Sequence, residues 1–487
     1  MAQYGRRRPI SCVTLAAALL AITGSIIMPS ESWGDDTVAQ PERTRFLVLD
    51  ARIIDEINDA RLTVGKVEKH PRNPLFKEDR PWEPRFDNLY ANILFDEQGQ
   101  RYKCWYSPFI VDERTTFTPL EKRKAVRYLE AQPNAREMGV CYAVSTDGLA
   151  WEKPDLGLVE FNGTEKNNIV VRGPHGAGVF KDLREPDPSK RYKMFFKAGT
   201  MSVAYSADGL HWSEAVACPG IDVKGDTHNN AFWAPELGKY VGITRMWNRE
   251  THVRQVGRTE SADFVHWTKA EVVLEGLEGH LQTYAMPVFR HAGVYLGLPV
   301  IFNTKTDRTQ TELTWSADTI EWRRIDPGTA LIPNAQEEGA YDWGCVYGAA
   351  YPVFLEDEIR IYYGGSNGPH TNWRDGFLCL ATLRPDGFAG YEPTAEDTPA
   401  VVTTKSMPCQ GATLRISADV REGGSVTLSI VDANGADLLQ SKPITQTVTD
   451  GTVEWEGGTR SPATSADDIR LKFTLRNARL YSFSFAD

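Results

Sequence analysis

Positive charge is in short supply in this chain. Its 54 Lys and Arg face 65 Asp and Glu over 487 residues, a formal net charge of −11. A surface that tracks phosphates needs an excess of Lys and Arg, so nucleic-acid binding is the first class excluded. Cysteine is scarce too, at seven, and no CxxC or Cys/His pair has the spacing of a zinc site. Cys104, Cys141 and Cys379 sit inside apolar runs (YKCWY, GVCYAV, FLCLAT), where cysteine behaves as a small hydrophobe. Free core thiols are therefore expected rather than a disulfide framework. Long hydrophobic runs are missing except near the start, and there Ser11, Thr14, Thr23, Gly24 and Ser25 interrupt the run. It is too weakly apolar for the ~20 residues of a membrane span. Arg6-Arg7-Arg8, the apolar stretch from Ile10 to Ile22 and the small residues around Ser32-Trp33-Gly34 instead read as a secretory signal peptide. That predicts an exported protein, periplasmic or extracellular, with no membrane partner after cleavage.

What is present in quantity is glycine (40), proline (28) and aromatic residues (13 Trp, 18 Tyr, 20 Phe). Such a composition favours turns and β-structure over a helical bundle. One pattern, S-x-D-x-x-x-W, recurs at Ser145–Trp151, Ser206–Trp212, Ser261–Trp267 and Ser316–Trp322, with a degenerate copy at Arg384-Pro-Asp386-Gly-Phe388. Asp forms the turn and Trp packs the outer strand. That makes Asp147, Asp208, Asp263 and Asp318 structural. Upstream of each copy an apolar strand, a short turn and an aromatic-rich strand follow in order. Five such units, none able to bury its own faces, predict an all-β fold: a five-bladed β-propeller.

The expected organisation is a signal peptide over 1–34, then an N-terminal extension with a short helix over 35–85. The propeller spans 86–392, a linker 393–410 and a small C-terminal β-sandwich 411–487, where period-2 strands resume. A charged insertion from Pro108 to Glu137 reads as partly helical.

Chemistry in a propeller collects where the first strands of the blades begin around the axis. The segments at those positions are Trp82–Asn88, Gly173–Gly176, Gly225–Asn230, Gln282–Tyr284 and Glu337–Trp343. They supply Asp87, Asn88, His175, Asp226, His228, Asn230, Tyr284, Glu338, Asp342 and Trp343. The loops after the second strands point to the same face and add Arg245, Trp247 and Trp373. Carboxylates from several blades suit hydrolysis of a polar substrate. Trp on a sugar ring, with Asn and Arg on its hydroxyls, suits a carbohydrate partner.

The repeats, blades and trailing sandwich resemble the five-bladed glycoside hydrolase superfamily, families 43, 32 and 117 among them, with a family-32-like C-terminal sandwich. The resemblance implies cleavage of glycosidic bonds by carboxylates in a central funnel. Carried over by position, Asp87 is the base or nucleophile and Asp226 the orienting acid. Where relatives place a fourth-blade Glu-x-Pro, this chain has Tyr284-Ala285-Met286-Pro287. The proton donor is then His228, Glu338 or Asp342. The expected function is an exported, exo-acting glycoside hydrolase with no metal or other cofactor. The alternatives are a non-catalytic carbohydrate-binding propeller and a family-130-like phosphorylase with Arg245, Arg249 and Lys305 around phosphate.

Overall fold

The repeated turn is held by its own side chains. In all four copies the serine hydroxyl donates to the aspartate Oδ1 at 3.0 Å. That oxygen also accepts the backbone N–H groups two and three residues on. Trp212, Trp267 and Trp322 close the loop by donating Nε1 to the carbonyl three residues back, at 3.0–3.1 Å. The N–H of Ala150 is the largest influence on Asp147, which sits at about 2. These acids are turn formers, as their place in the repeat predicts.

A computed structural model describes residues 44–486 apart from 410, 412, 433 and 459–467, so the leader read at 1–34 lies outside the described residues. The architecture is all-β, a propeller-like arrangement of sheets in which, among the described residues, the α-helices are two short ones in the insertion, Glu113–Phe117 and Leu120–Arg123. The first repeat builds a five-stranded sheet around Asn92–Asp96, Arg101–Tyr106, Arg136–Ser145 and Ile169–Arg172. The second (His175–Lys181 to Val216–Ala217), third (Asn230–Ala234 to Glu271–Leu274) and fourth (Val288–His291 to Trp322–Arg324) build separate four-stranded sheets. The fifth does not stand alone. Its strands Val353–Phe354, Ile359–Ser366 and Gly376–Leu383 lie in a nine-stranded sheet that also holds Leu281–Ala285, Val300–Asn303 and Arg308–Thr311. The two parts join through one parallel pairing, Thr309 with Cys345. Four separate blade sheets thus stand where five are expected.

Two expectations need correction. The short helix expected in the extension over 35–85, where residues 51–64 have a weak helical preference, is a pair of strands, Ile54–Asn58 and Ala60–Val64. Their β-branched residues pair with Ala400–Thr404 and Ala389–Pro393, and sheet pairing outweighs a weak helical preference. The stretch 393–410 is no open linker, because Ala400–Thr404 also pairs with the Asp468–Ala486 strand. The C-terminal region is a ten-stranded sheet dominated by two 19-residue strands, Thr413–Val431 and Asp468–Ala486, paired along their length. Its interior holds Ile416, Leu428, Leu471, Phe473 and Phe483.

Asparagines clasp neighbouring sheets. Asn92 donates to Ala177 O at 2.8 Å and accepts from Val179 N, tying the first sheet to the second. Asn230 accepts from Val288 N at 3.0 Å, tying the third to the fourth. The six described cysteines from Cys104 to Cys409 are free and buried. No helix among the described residues is long and apolar enough to cross a membrane.

Candidate functional site

The Phe86–Tyr90 turn is forced into an unusual path, with positive φ at Asp87 (+56°), Leu89 (+64°) and Tyr90 (+46°). Non-glycine residues in that region are strained and cluster at functional sites. The path aims Asp87 at two arginines. Arg374 Nη2 reaches its Oδ1 at 2.7 Å and Arg85 Nε at 3.2 Å. Burial alone would raise the Asp87 carboxyl, but the Arg374, Arg85 and Arg136 guanidinium groups outweigh it and hold it at about 2. The same Arg374 Nη2 bonds Asn88 Oδ1 at 2.9 Å, and Asn88 donates to the hydroxyls of Tyr90 (2.8 Å) and Tyr284 (3.2 Å).

From the second and third sheets come His175 and Asp226. Gly176, at φ +59°, lets this corner form: a Cβ there would lie 1.5 Å from Thr227 O. His175 Nε2 meets Asp226 Oδ1 at 2.6 Å, and Arg245 Nη2 meets Oδ2 at 2.7 Å. Burial pushes the Asp226 carboxyl up, yet His175, Arg245 and Lys197 pull it far below the carboxylate range. Asp226 nonetheless keeps 47% of its side chain exposed. The Tyr90 ring lies 6.1 Å from His175 and 5.4 Å from His228. Its hydroxyl is pushed well up by burial first, then by Tyr284 and Asp226, with Asp87 adding to the shift. Two carboxylates from different sheets therefore bear on one phenol.

The fourth and fifth repeats add an aromatic wall and the third sheet a cationic one. Tyr284 packs against His370 at 4.7 Å, and His370 Nδ1 is 2.6 Å from the Tyr347 hydroxyl. Burial, then Arg374, drives His370 well below its ordinary value, so it stays neutral. The Arg245 and Arg254 guanidinium groups lie 5.0 and 5.3 Å from the Tyr284 ring centre, and 5.3 and 4.6 Å from that of Trp247.

The structure brings Asp87, Asn88, His175, Asp226, Arg245, Trp247 and Tyr284 together. It does not bring the others. His228 is buried with Nε2 3.1 Å from Asn92 Oδ1, and burial lowers it to about 3, so it is a neutral clasp and no proton donor. Asn230 is wholly buried on Val288 and takes no part in substrate binding. Asp342 is sealed beneath Lys69 (2.6 Å) and the Tyr363 hydroxyl (2.8 Å), away from the funnel. Glu338 lies on an exposed turn, and no contact joins it to Asp87 or Asp226. Trp343 stacks under Arg308, and Trp373 donates to Val126 O at 2.7 Å beneath Arg123, fastening the insertion. His228, Asn230 and Asp342 turn into the protein, whereas Glu338 stays on the surface.

Sequence reasoning missed Arg85, Tyr90, Arg254, Tyr347, His370 and Arg374. Arg374 and His370 share the loop of Trp373, and Arg254 stands opposite Trp247 in the strand register; proximity to residues already singled out was the available signal. Among the described residues no group of three or more His, Cys, Asp and Glu side chains is placed to hold a metal ion.

No family model matches the chain, and no curated protein matches it. Solved structures similar to it include an N-acetylgalactosamine deacetylase from F. plautii in complex with blood group B trisaccharide. That match has 14% identity over 66% of this chain and 95% of the other, with a TM-score of 0.44. A second is a member of the GH130 family of mannoside phosphorylases and glycoside hydrolases, at 14% identity, 69% and 97% coverage and TM-score 0.44. A third is a glycosidase-like protein of Bacteroides thetaiotaomicron, at 14% identity, 66% and 97% coverage and TM-score 0.42.

Proposed function

We propose that the funnel is the active site of an exported, exo-acting glycoside hydrolase, with Asp87 as nucleophile and His175 as proton donor. The observation that carries this is that Asp87, through Arg374 and Asn88, and Asp226, through Arg245, are tied from the first and third repeats to the same tyrosine pair, Tyr90 and Tyr284. Breaking a glycosidic bond needs one group to meet the anomeric carbon and another to protonate the departing oxygen. Asp87, at about 2, is ionised at any working pH and suits attack. A base so weak is poorly matched to activating water near neutrality. Asp226 is ionised as well and has no proton to give. Bound to His175 Nε2, it fixes the imidazole as an orienting acid does.

In the reading proposed, an Asp87 oxygen attacks the anomeric carbon as the bond to the leaving oxygen breaks, and His175 gives that oxygen its proton. Water then attacks the glycosyl ester, His175 takes the water proton, and the Asp87 carboxylate is released. Turnover should be measured on a panel of aryl glycosides and oligosaccharides. Asp87→Asn is expected to lose all but a residual rate. His175→Asn should lose about 10²–10⁴-fold on substrates with poor leaving groups and far less on dinitrophenyl glycosides, which need no proton. Full turnover by Asp87→Asn would sink the assignment.

The architecture belongs to the same proposal. The nine-stranded sheet is read as a fifth blade fused to an extension of the fourth. In support, Asn92 of the first sheet bridges Ala350 in parallel at the ring's last gap, and Glu68–Lys69 and Phe76–Lys77 edge the Gly376–Leu383 strand as an outer strand would. Phosphorolysis is the second reading, favoured by Arg245 in the funnel wall; Arg249 and Lys305, its other expected supports, are exposed. A rate indifferent to added phosphate removes it. Export rests on the leader at 1–34 and is checked by N-terminal sequencing of the secreted chain.

A further inference from the structure

The funnel holds more positive charge than its carboxylates can match. Asp226 serves both His175 and Arg245. The Arg245 side chain is only 2% exposed, and its Nε and Nη1 have no hydrogen-bond partner. Burying guanidinium donors without partners is costly unless something satisfies them. Arg254 stands beside it on the next strand, opposite Trp247. Its one side-chain acceptor is the neutral Gln282, at 2.7 Å, and its buried Nε is partnerless too. Burial first, and Arg245 next, depress Arg254, as two like charges sharing a small space must. Trp247, 37% exposed, lies under both. Two forked cations with spare donors, side by side over exposed and buried aromatic faces, form a receptor for a planar or tetrahedral oxyanion.

We propose that Arg245 and Arg254 bind an oxyanion in the funnel, a carboxylate, sulfate or phosphate carried by the substrate sugar, so that the enzyme acts on acidic rather than neutral saccharides. This rests on the funnel being the substrate site and adds the substrate class. A free phosphate ion offers the same chemistry, and the experiment separates the two sources.

Binding to the full chain is measured by calorimetry with glucose, glucuronate, galacturonate, inorganic sulfate and inorganic phosphate, at low and high salt. Uronates should bind at least about tenfold tighter than glucose, with the difference shrinking as salt rises. Arg254→Gln should remove that preference, and Arg254→Lys, which keeps a point charge, should retain part of it. Uronate or sulfate bound without any effect of phosphate on cleavage assigns the anion to the sugar. Phosphate bound and accelerating cleavage assigns it to a free ion, with the oxyanion site still standing. Glucose and uronate binding alike with no phosphate bound would overturn the proposal. So would a folded Arg254→Gln chain with unchanged anion affinity. Asp87→Asn, expected to lose cleavage, should keep uronate binding, so the catalytic reading and the anion site can fail independently.

Discussion

Asp87 and Glu78 show how neighbouring carboxyls are driven in opposite directions. Asp87 is held at about 2 by Arg374 and Arg85 against the pull of burial. A group lowered on folding stabilises the protein above its unfolded value, and that stability is lost as pH falls through the folded one. From about 4 down to about 2, some 2 kcal/mol should disappear. Melting curves of Asp87→Asn should lack that part of the acid limb. Glu78 accepts Phe86 N and Gly376 N at 2.9 and 2.8 Å, yet burial raises it to about 7. Its stabilisation is complete below about 4.5 and is lost as pH rises through 7. Glu78→Gln keeps the acceptor without the charge. At pH 8 it should melt higher than the native chain, by up to about 3 kcal/mol in stability, and at pH 4 the two should coincide. Glu78 also lines a cavity of about 250 Å³ behind Arg374 and Trp373, so the titration is local to the wall that positions Arg374.

At the scale of the element, the side-chain bonds that shape the S-x-D-x-x-x-W turn fall within seven residues, while partners such as Trp105 on Gly209 O and Tyr362 on Gly148 O only dock it to neighbouring strands. Asp263→Ala should therefore cost about 1 kcal/mol or somewhat more from lost backbone acceptors, with no effect on turnover. A loss of activity at unchanged stability would show that the outer turns reach the funnel. The loops are different in kind. Residues 366–375 are fixed by long-range contacts, among them Thr371 on Asp307 at 2.7 Å, His370 N on Asp307 O at 2.7 Å and Arg374 on Asp87 at 2.7 Å. Local repetition made the turn legible in the sequence. Nothing local announced that Arg374, one residue beyond a conspicuous tryptophan, carries the bond to Asp87.

At the scale of the molecule, residues near the N-terminus edge the nine-stranded sheet. Glu68–Lys69 and Phe76–Lys77 pair with Gly376–Leu383, and Lys69 reaches down to the fully buried Asp342. Lys69→Met leaves that carboxylate without its cation and should cost about 3–5 kcal/mol. Adding Asp342→Asn should restore much of the loss, measured as chemical unfolding midpoints. A catalytic Asp342 would instead lose turnover in the double variant while recovering stability.

Sequence alone determined the all-β class, the repeated turn with its structural aspartates and the buried free thiols. Each follows from periodicity or from position within a repeat, and both are properties of the chain read in order. Tertiary structure decided which way each side chain turned, because pairing partners far along the chain set strand register and burial. It made strands of residues 54–64, buried His228, Asn230 and Asp342, and gathered arginines from distant loops around two acids. A carboxylate's charge state depends on such neighbours, and neighbours drawn from different sheets are not adjacent in sequence.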